Sequence, residues 1–232
     1  DPQAVEVTKL SLLLKVVEDP GQLKMFEEGH ILPNLNRNIK NGNALIGMDY
    51  FSGQMFGDME EMKRVKPFEW KDEFPEVFKR GGFDVVIGNP PYIDSEWLTK
   101  TNPKLREYCV THYESAKGNW DIFCVFVEKC LKLSRQYSSM IVPNKLLSAD
   151  YARYTRNFIT SKHLLIKIRD FSNVPVFPVA VYPIVYVAKT TKLNNDESIV
   201  YELMRQIERD KVEVETKIAL SHEKLDNLEG ES

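Results

Sequence analysis

The chain has 232 residues, 43% of them hydrophobic and 28% charged, with a formal net charge of −3. This is the composition of an ordinary folded domain, and it excludes collagenous, low-complexity and disulfide-scaffold classes. No run approaches the roughly 20 apolar residues that cross a bilayer, and no basic-then-apolar leader is apparent, so membrane and secreted readings are set aside. The cysteines, Cys109, Cys124 and Cys130, lack CxxC spacing. Neither a disulfide framework nor a zinc site is therefore expected, and a reducing cytoplasm is the expected setting.

Charge is spread unevenly. From Lys129 to Arg169 nine bases face one acid, Asp150, whereas Leu193 to Ser232 holds 11 acids and five bases. A polyanion-facing middle and a solvated acidic tail are one reading; wetted helix faces are the other.

In chain order, Asp1 and Pro2 suit an N-cap and first helical position, and the apolar spacing that follows predicts a helix. Asn38 to Gly47 reads as a short strand ending in a turn, and Tyr50 to Arg80 as a loop with one helix over 69–80. Phe83 to Gly88 is the clearest strand, a continuous apolar run of the kind buried in parallel sheets. An amphipathic helix is expected over 120–133, a strand over 139–143, a helix over 151–162, and strands over 164–170 and 179–189. The last of these contains Tyr182-Pro183, which favours an edge, a bulge or a strand start. Strands alternating with helices predict an α/β domain with a mostly parallel sheet. Beyond Leu193, apolar residues at Ile199, Leu203, Ile207, Val212, Val214, Ile218, Leu225 and Leu228 form an imperfect helical pattern among charges. The resulting division is residues 1–192 as one domain and residues 193–232 as an acidic, helical extension.

The residues that carry chemistry are Asn89-Pro90-Pro91-Tyr92, directly after the clearest strand. Open α/β sheets place their ligands at such carboxyl ends. Two prolines fix φ near −65° and remove two N–H donors, so the loop is stiff and rich in acceptors. The Asn89 side-chain carbonyl adds another acceptor, and Tyr92 supplies a flat face with a polar tip. Two acceptors beside an aromatic plate suit a planar NH₂ group on a π-system. Accepting a hydrogen bond from each N–H localises the nitrogen lone pair for attack, an effect of about 3–4 kcal/mol per well-placed partner. A rigid turn with no chemistry is the plain alternative.

These residues resemble the amino-methyltransferases that use S-adenosyl-L-methionine, and are most similar to DNA N6-adenine methyltransferases of restriction–modification systems, of the type II, Eco57I-like kind. Asp1-Pro2-Gln3-Ala4-Val5 is similar to the start of that family's second cofactor-side helix. Asn41-Gly42-Asn43-Ala44-Leu45 is similar to the strand end that meets the cofactor's adenine. Trp120-Asp121-Ile122-Phe123, Ile141-Val142-Pro143-Asn144-Lys145 and Asn173-Val174-Pro175-Val176-Phe177-Pro178 resemble later core segments and an aromatic-bearing loop. The resemblance runs from Asp1 to about Lys192. It implies a Rossmann-like, three-layer α/β/α sheet, with Asn89, Pro90, Pro91 and Tyr92 catalytic. Tyr92 and Phe177 would sandwich the target base, and Asn43, Ala44 and Asn89 would lie at the cofactor. The partner implied is double-stranded DNA with its adenine flipped out, an event that needs stacking rings and a basic groove. The same tetrapeptide marks methyltransferases of protein glutamine and of RNA guanine, and a noncatalytic DNA-binding or assembly module of this fold is a further alternative.

The resemblance also implies a glycine-rich cofactor loop and a ribose-binding acid upstream of Asp1, neither of which the sequence contains. The expectation is an N-terminally truncated piece whose first strands and target-recognition region lie elsewhere. Weak cofactor binding and an exposed sheet edge open to self-association follow from that expectation.

Overall fold

The computed structural model describes residues 2–18, 34–52, 59–178, 181–190, 198–208 and 211–221. They divide into two compact units, residues 1–78 and residues 79–232, each described by itself. Expectations resting on Asp1, Val179-Ala180, Leu225 and Leu228 lie outside the described residues.

In the first unit, α1 spans Pro2–Glu18, with proline at the first position, where its missing N–H costs nothing. The strand expected over 38–47 reduces to one bridge, in which Asn43 pairs with Pro67. Helix α2 (Met59–Val65) forms where a loop was expected, and the single helix expected over 69–80 is two, α3 (Trp70–Glu73) and α4 (Pro75–Phe78). Phe74 breaks them with a non-helical φ of −132° and ψ of 55°, because the proline ring disfavours helical backbone in the residue before it.

A six-stranded sheet organises the second unit, in the order β1-β2-β4-β3-β5-β6. Its strands are β1 (Phe83–Gly88), β2 (Ser134–Pro143), β3 (Leu164–Asn173), β4 (Pro183–Lys189), β5 (Ile199–Glu208) and β6 (Lys211–Leu220). Only β1/β2 and β3/β5 pair in parallel; β2/β4, β3/β4 and β5/β6 are antiparallel. The α/β class therefore holds, while the expectation of a mostly parallel sheet gives way to a mixed one. Pro183 opens β4, one of the positions open to proline in a strand.

The helices of this unit are α5 (Ser95–Thr101), α6 (Pro103–His112), α7 (Ile122–Leu133), α8 (Lys145–Ser148) and α9 (Arg153–Lys162). Side-chain caps mark the starts of α5, α6 and α7. Asp94 accepts from the Trp97 N–H, Asn102 from Leu105, with proline at the first position of α6, and Asp121 from Phe123. Helices α7 and α9 lie on one face of the sheet, where Phe123, Val127 and Leu131 of α7 and Phe158 and Ile159 of α9 join Val142, Ile168, Ile184 and Tyr186 in the core. Entry into β1 needs glycine: Gly82 has φ of 122°, and a Cβ there would stand 2.6 Å from the Leu133 carbonyl oxygen.

Two further corrections concern burial and the tail. Among the described strands β1 is an edge with β2 as its one neighbour, and Val85 and Ile87 are 55% and 77% exposed rather than buried. The helix expected beyond residue 193 is instead the β5/β6 hairpin, which extends the same sheet through β3. The described tail residues 198–208 and 211–221 are thus part of the second unit's sheet.

Candidate functional site

β1 ends at Gly88, paired with Met140 of β2, and the chain then turns through Asn89-Pro90-Pro91-Tyr92 at the carboxyl end of both strands. Asn89 and Pro91 are exposed, Pro90 is buried and Tyr92 is half-buried. The Asn89 amide and the Pro90 carbonyl make no hydrogen bond to the described residues. Both acceptors singled out by the sequence are therefore unspent, in a loop whose two prolines cannot donate to them.

Below them Tyr92 is anchored. Its hydroxyl donates to the Ile141 carbonyl at 3.3 Å, its ring packs on the core, and burial raises its pKa, with the Asp121 carboxylate adding to the effect. Phe177 meets it edge to face, with centroids 6.3 Å apart and planes at 82°. The structure brings these two rings together, but they touch each other and do not flank a slot; a base between them requires Phe177 to move aside.

The loop's exit is tied to a residue that sequence reasoning named only within a family-like segment. The Ile93 N–H donates to Asp121 Oδ1 at 3.2 Å, and the Ile122 N–H donates to the Ile93 carbonyl at 2.9 Å. Burial pushes the Asp121 carboxyl up to about 6, against the Phe123 and Ile93 N–H groups, which lower it; Asp94 raises it further and Lys145 lowers it. Tyr151, which meets Phe123 at 6.4 Å, also feels the Asp121 charge. An aspartate before an apolar helical run is the usual N-cap signal, so Asp121 was findable as a cap, though not as a loop partner.

Asn43 and Ala44 belong to the first unit. The Asn43 N–H donates to the Lys66 carbonyl at 2.7 Å, and its Oδ1 accepts from the Leu45 N–H at 3.1 Å. That bond orients the amide and leaves Nδ2 as a side-chain donor. The Ala44 carbonyl accepts from Trp70 Nε1 at 3.0 Å. Gly42 is required by packing, since a Cβ there would fall 2.3 Å from the Phe68 ring.

The basic middle segment is largely neutralised within the fold. Five of its nine bases have carboxylate partners: Lys132 on Glu128, Arg135 on Asp84, Lys162 on Glu114, and Lys167 and Arg169 on Glu202. Arg156 donates to the Leu146 and Ala149 carbonyls. Lys145 and Arg153 form no direct ion pair among the described residues, although Lys145 acts on the Asp121 carboxyl from further off. Among those residues no His, Cys, Asp or Glu cluster suits a metal ion, and no helix is long and apolar enough to cross a membrane.

Comparison with known proteins places the chain. It is 28% identical over 179 residues to the type II restriction enzyme and methyltransferase RM.Eco57I of Escherichia coli, covering 76% of this chain and 17% of that protein. It is 29% identical over 163 residues to the type II methyltransferase M.BstVI of Geobacillus stearothermophilus, covering 68% and 28%. The chain thus matches less than a third of the length of these relatives. Among solved structures it is similar to the type IIG restriction endonuclease BpuSI, with a TM-score of 0.45 and 16% identity over 62% of this chain and 20% of that one. It is also similar to the type I restriction enzyme EcoKI M protein, with a TM-score of 0.42 and 14% identity over 83% and 35%. The family model describing Eco57I restriction-modification methylases matches residues 1–177, and the chain therefore belongs to the Eco57I restriction-modification methylase family.

Proposed function

We propose that this chain carries the catalytic loop of a DNA methyltransferase of a restriction–modification system, and that its target is the N6 amine of an adenine flipped out of double-stranded DNA. The observation that carries the reading is the pair of unspent acceptors, the Asn89 amide oxygen and the Pro90 carbonyl, at the tip of β1 above an anchored aromatic ring. An exocyclic amine has two N–H groups and a delocalised lone pair. Holding both N–H groups on fixed oxygens favours tetrahedral nitrogen and exposes the lone pair, and rigidity means that little reorganisation is needed during reaction. Tyr92 offers its ring face to the base, contributing about 1–3 kcal/mol by stacking. Entry of the base displaces Phe177 from the Tyr92 ring, after which Phe177 can cover the base's other face.

S-adenosyl-L-methionine is the methyl donor in this reading, supplying an electrophilic methyl group on a sulfonium. The residues present fit its adenine at one point. With Oδ1 committed to the Leu45 N–H, Asn43 has a free amide donor, suited to a ring nitrogen rather than to the cofactor's amine. Ala44, whose carbonyl is taken by Trp70, would contribute its small side chain and no acceptor. Lys145 and Arg153 are the cations available for phosphates, so phosphate contact by this segment is narrower than its nominal charge.

The test is transfer of a labelled methyl group from S-adenosyl-L-methionine to unmethylated DNA by the native protein. Asn89→Ala is expected to lower transfer by about 100-fold or more while leaving cofactor affinity, read by calorimetry, nearly intact. Equal loss of both would make Asn89 structural. Label appearing in RNA or protein but not in DNA would reassign the substrate.

A further inference from the structure

Two prolines deprive the catalytic loop of the backbone donors that usually fix a turn, so its conformation must be set from its ends. At the entry it grows out of β1, locked to β2 through the Gly88–Met140 pairing. In the middle the Tyr92 hydroxyl reaches the Ile141 carbonyl. At the exit, Ile93 carries the first backbone N–H after Asn89 with a described partner, and that partner is Asp121 Oδ1, 28 residues further along the chain. The same oxygen accepts the Phe123 N–H at 3.3 Å as the N-cap of α7. An antiparallel bridge between Asp94 and Asp121 and the Ile122 N–H to Ile93 carbonyl bond lie alongside. Because Ile122, Phe123 and Cys124 are buried, the helix end that Asp121 caps is immobilised by the core. One carboxylate therefore couples the exit of the loop to a fixed point.

We infer that Asp121 is a positioning residue for the Asn89–Tyr92 loop, its carboxylate shared between the Ile93 and Phe123 N–H groups so that the Asn89 amide and Pro90 carbonyl are held in place. This rests on the functional reading above and adds a residue that acts only through the loop. It brings a pH dependence. The charged and titratable groups facing Asp121 are Asp94 at the cap of α5, Lys145 of α8, and Tyr92 and Tyr151, with the Cys124 thiol on α7. Burial pushes the Asp121 carboxyl itself up to about 6. Protonation as pH falls removes charge from the shared acceptor and weakens both bonds, since hydrogen bonds to ionised acceptors are about twice as strong as neutral ones.

The test pairs two variants of the native protein with a readout independent of activity. Asp121→Ala removes the acceptor, and kcat for methyl transfer is expected to fall by about 10- to 100-fold, the scale of a small misplacement of reacting groups, with KM for S-adenosyl-L-methionine little changed. Asp121→Asn keeps an acceptor oxygen but cannot titrate. It is expected to hold kcat between those of the native protein and Asp121→Ala, at the level the native protein reaches once Asp121 is protonated, and to lack the acid limb expected of the native protein near pH 6. In protein labelled with ¹⁵N-isoleucine, the Ile93 amide proton is expected to titrate with a midpoint near 6 in the native chain and to stay flat in Asp121→Asn. A flat Ile93 resonance in the native chain, or Asp121→Asn as impaired as Asp121→Ala, overturns the assignment. Failure of the functional reading looks different: the native protein would then transfer no label to DNA, or Asn89→Ala would transfer it as well as the native protein does, while the Ile93 titration would still report the clamp.

Discussion

Asp121 carries a charge that its surroundings disfavour. Burial is the largest influence on its carboxyl, and the Phe123 and Ile93 N–H donors only partly offset it. A carboxyl held near 6 when folded, against about 4 when unfolded, binds its proton more tightly in the folded state. Its contribution to stability is therefore present at low pH and is lost as pH rises through about 6. Asp121→Asn removes the charge and keeps the acceptor, so its stability relative to the native chain is expected to improve from about pH 5 to about pH 8. Urea midpoints of both proteins at the two pH values check this. A difference that does not change with pH would mean that the neighbours fully compensate the charge. At this scale the Asn89-Pro90-Pro91-Tyr92 corner after β1 was legible from residue type and order, and the aspartate before an apolar helical run carried a cap signal that the reading of Asp121 did not use. The bond from Asp121 to Ile93 was not legible, because it joins segments 28 residues apart.

Among the elements, α7 shows how a buried charge can serve the architecture. Glu128, fully buried, accepts from the Glu114 N–H, the Ser115 N–H and the Ser115 hydroxyl, and pairs with Lys132. It fastens the segment between α6 and α7 onto the helix. Glu128→Ala would strand these donors in the interior and is expected to cost about 3–5 kcal/mol in urea unfolding. A loss under about 1 kcal/mol would show that water replaces the carboxylate. The β5/β6 hairpin shows where pattern reading fails. Ile199, Leu203 and Ile207 sit four apart, as on a helix, yet Ile199, Tyr201 and Leu203 equally share one face of a strand. An extra residue in β6, between Val214 and Thr216, shifts the register and hides the two-residue period. High β-branched content was the better guide.

On the scale of the whole molecule, one acid of the tail neutralises two bases of the middle segment. Glu202 of β5 is buried beside Lys167 and Arg169 of β3, and these cations hold its carboxyl below the usual range, Arg169 foremost. On the same strands Tyr201 donates to Asp170. Deleting residues 193–232 is expected to leave Lys167 and Arg169 unpaired and to expose core around Ile199, lowering stability by roughly 3–5 kcal/mol and the Tm by about 10 °C. An unchanged Tm would mean that the hairpin is an accessory. What the sequence by itself determined are short-range features, the β-branched run of β1 and the proline corner after it; the caps and the break at Phe74-Pro75 are just as local, although the reading of 69–80 as one helix passed over the break. Each follows from sterics and hydrogen bonding within a few residues. Only the tertiary structure decided which strands run parallel, which charges cancel, that Val85 and Ile87 face outward, and that the Asn89 and Pro90 oxygens stay unspent. Those outcomes depend on which distant segments meet, and a residue's own preferences do not encode its partners.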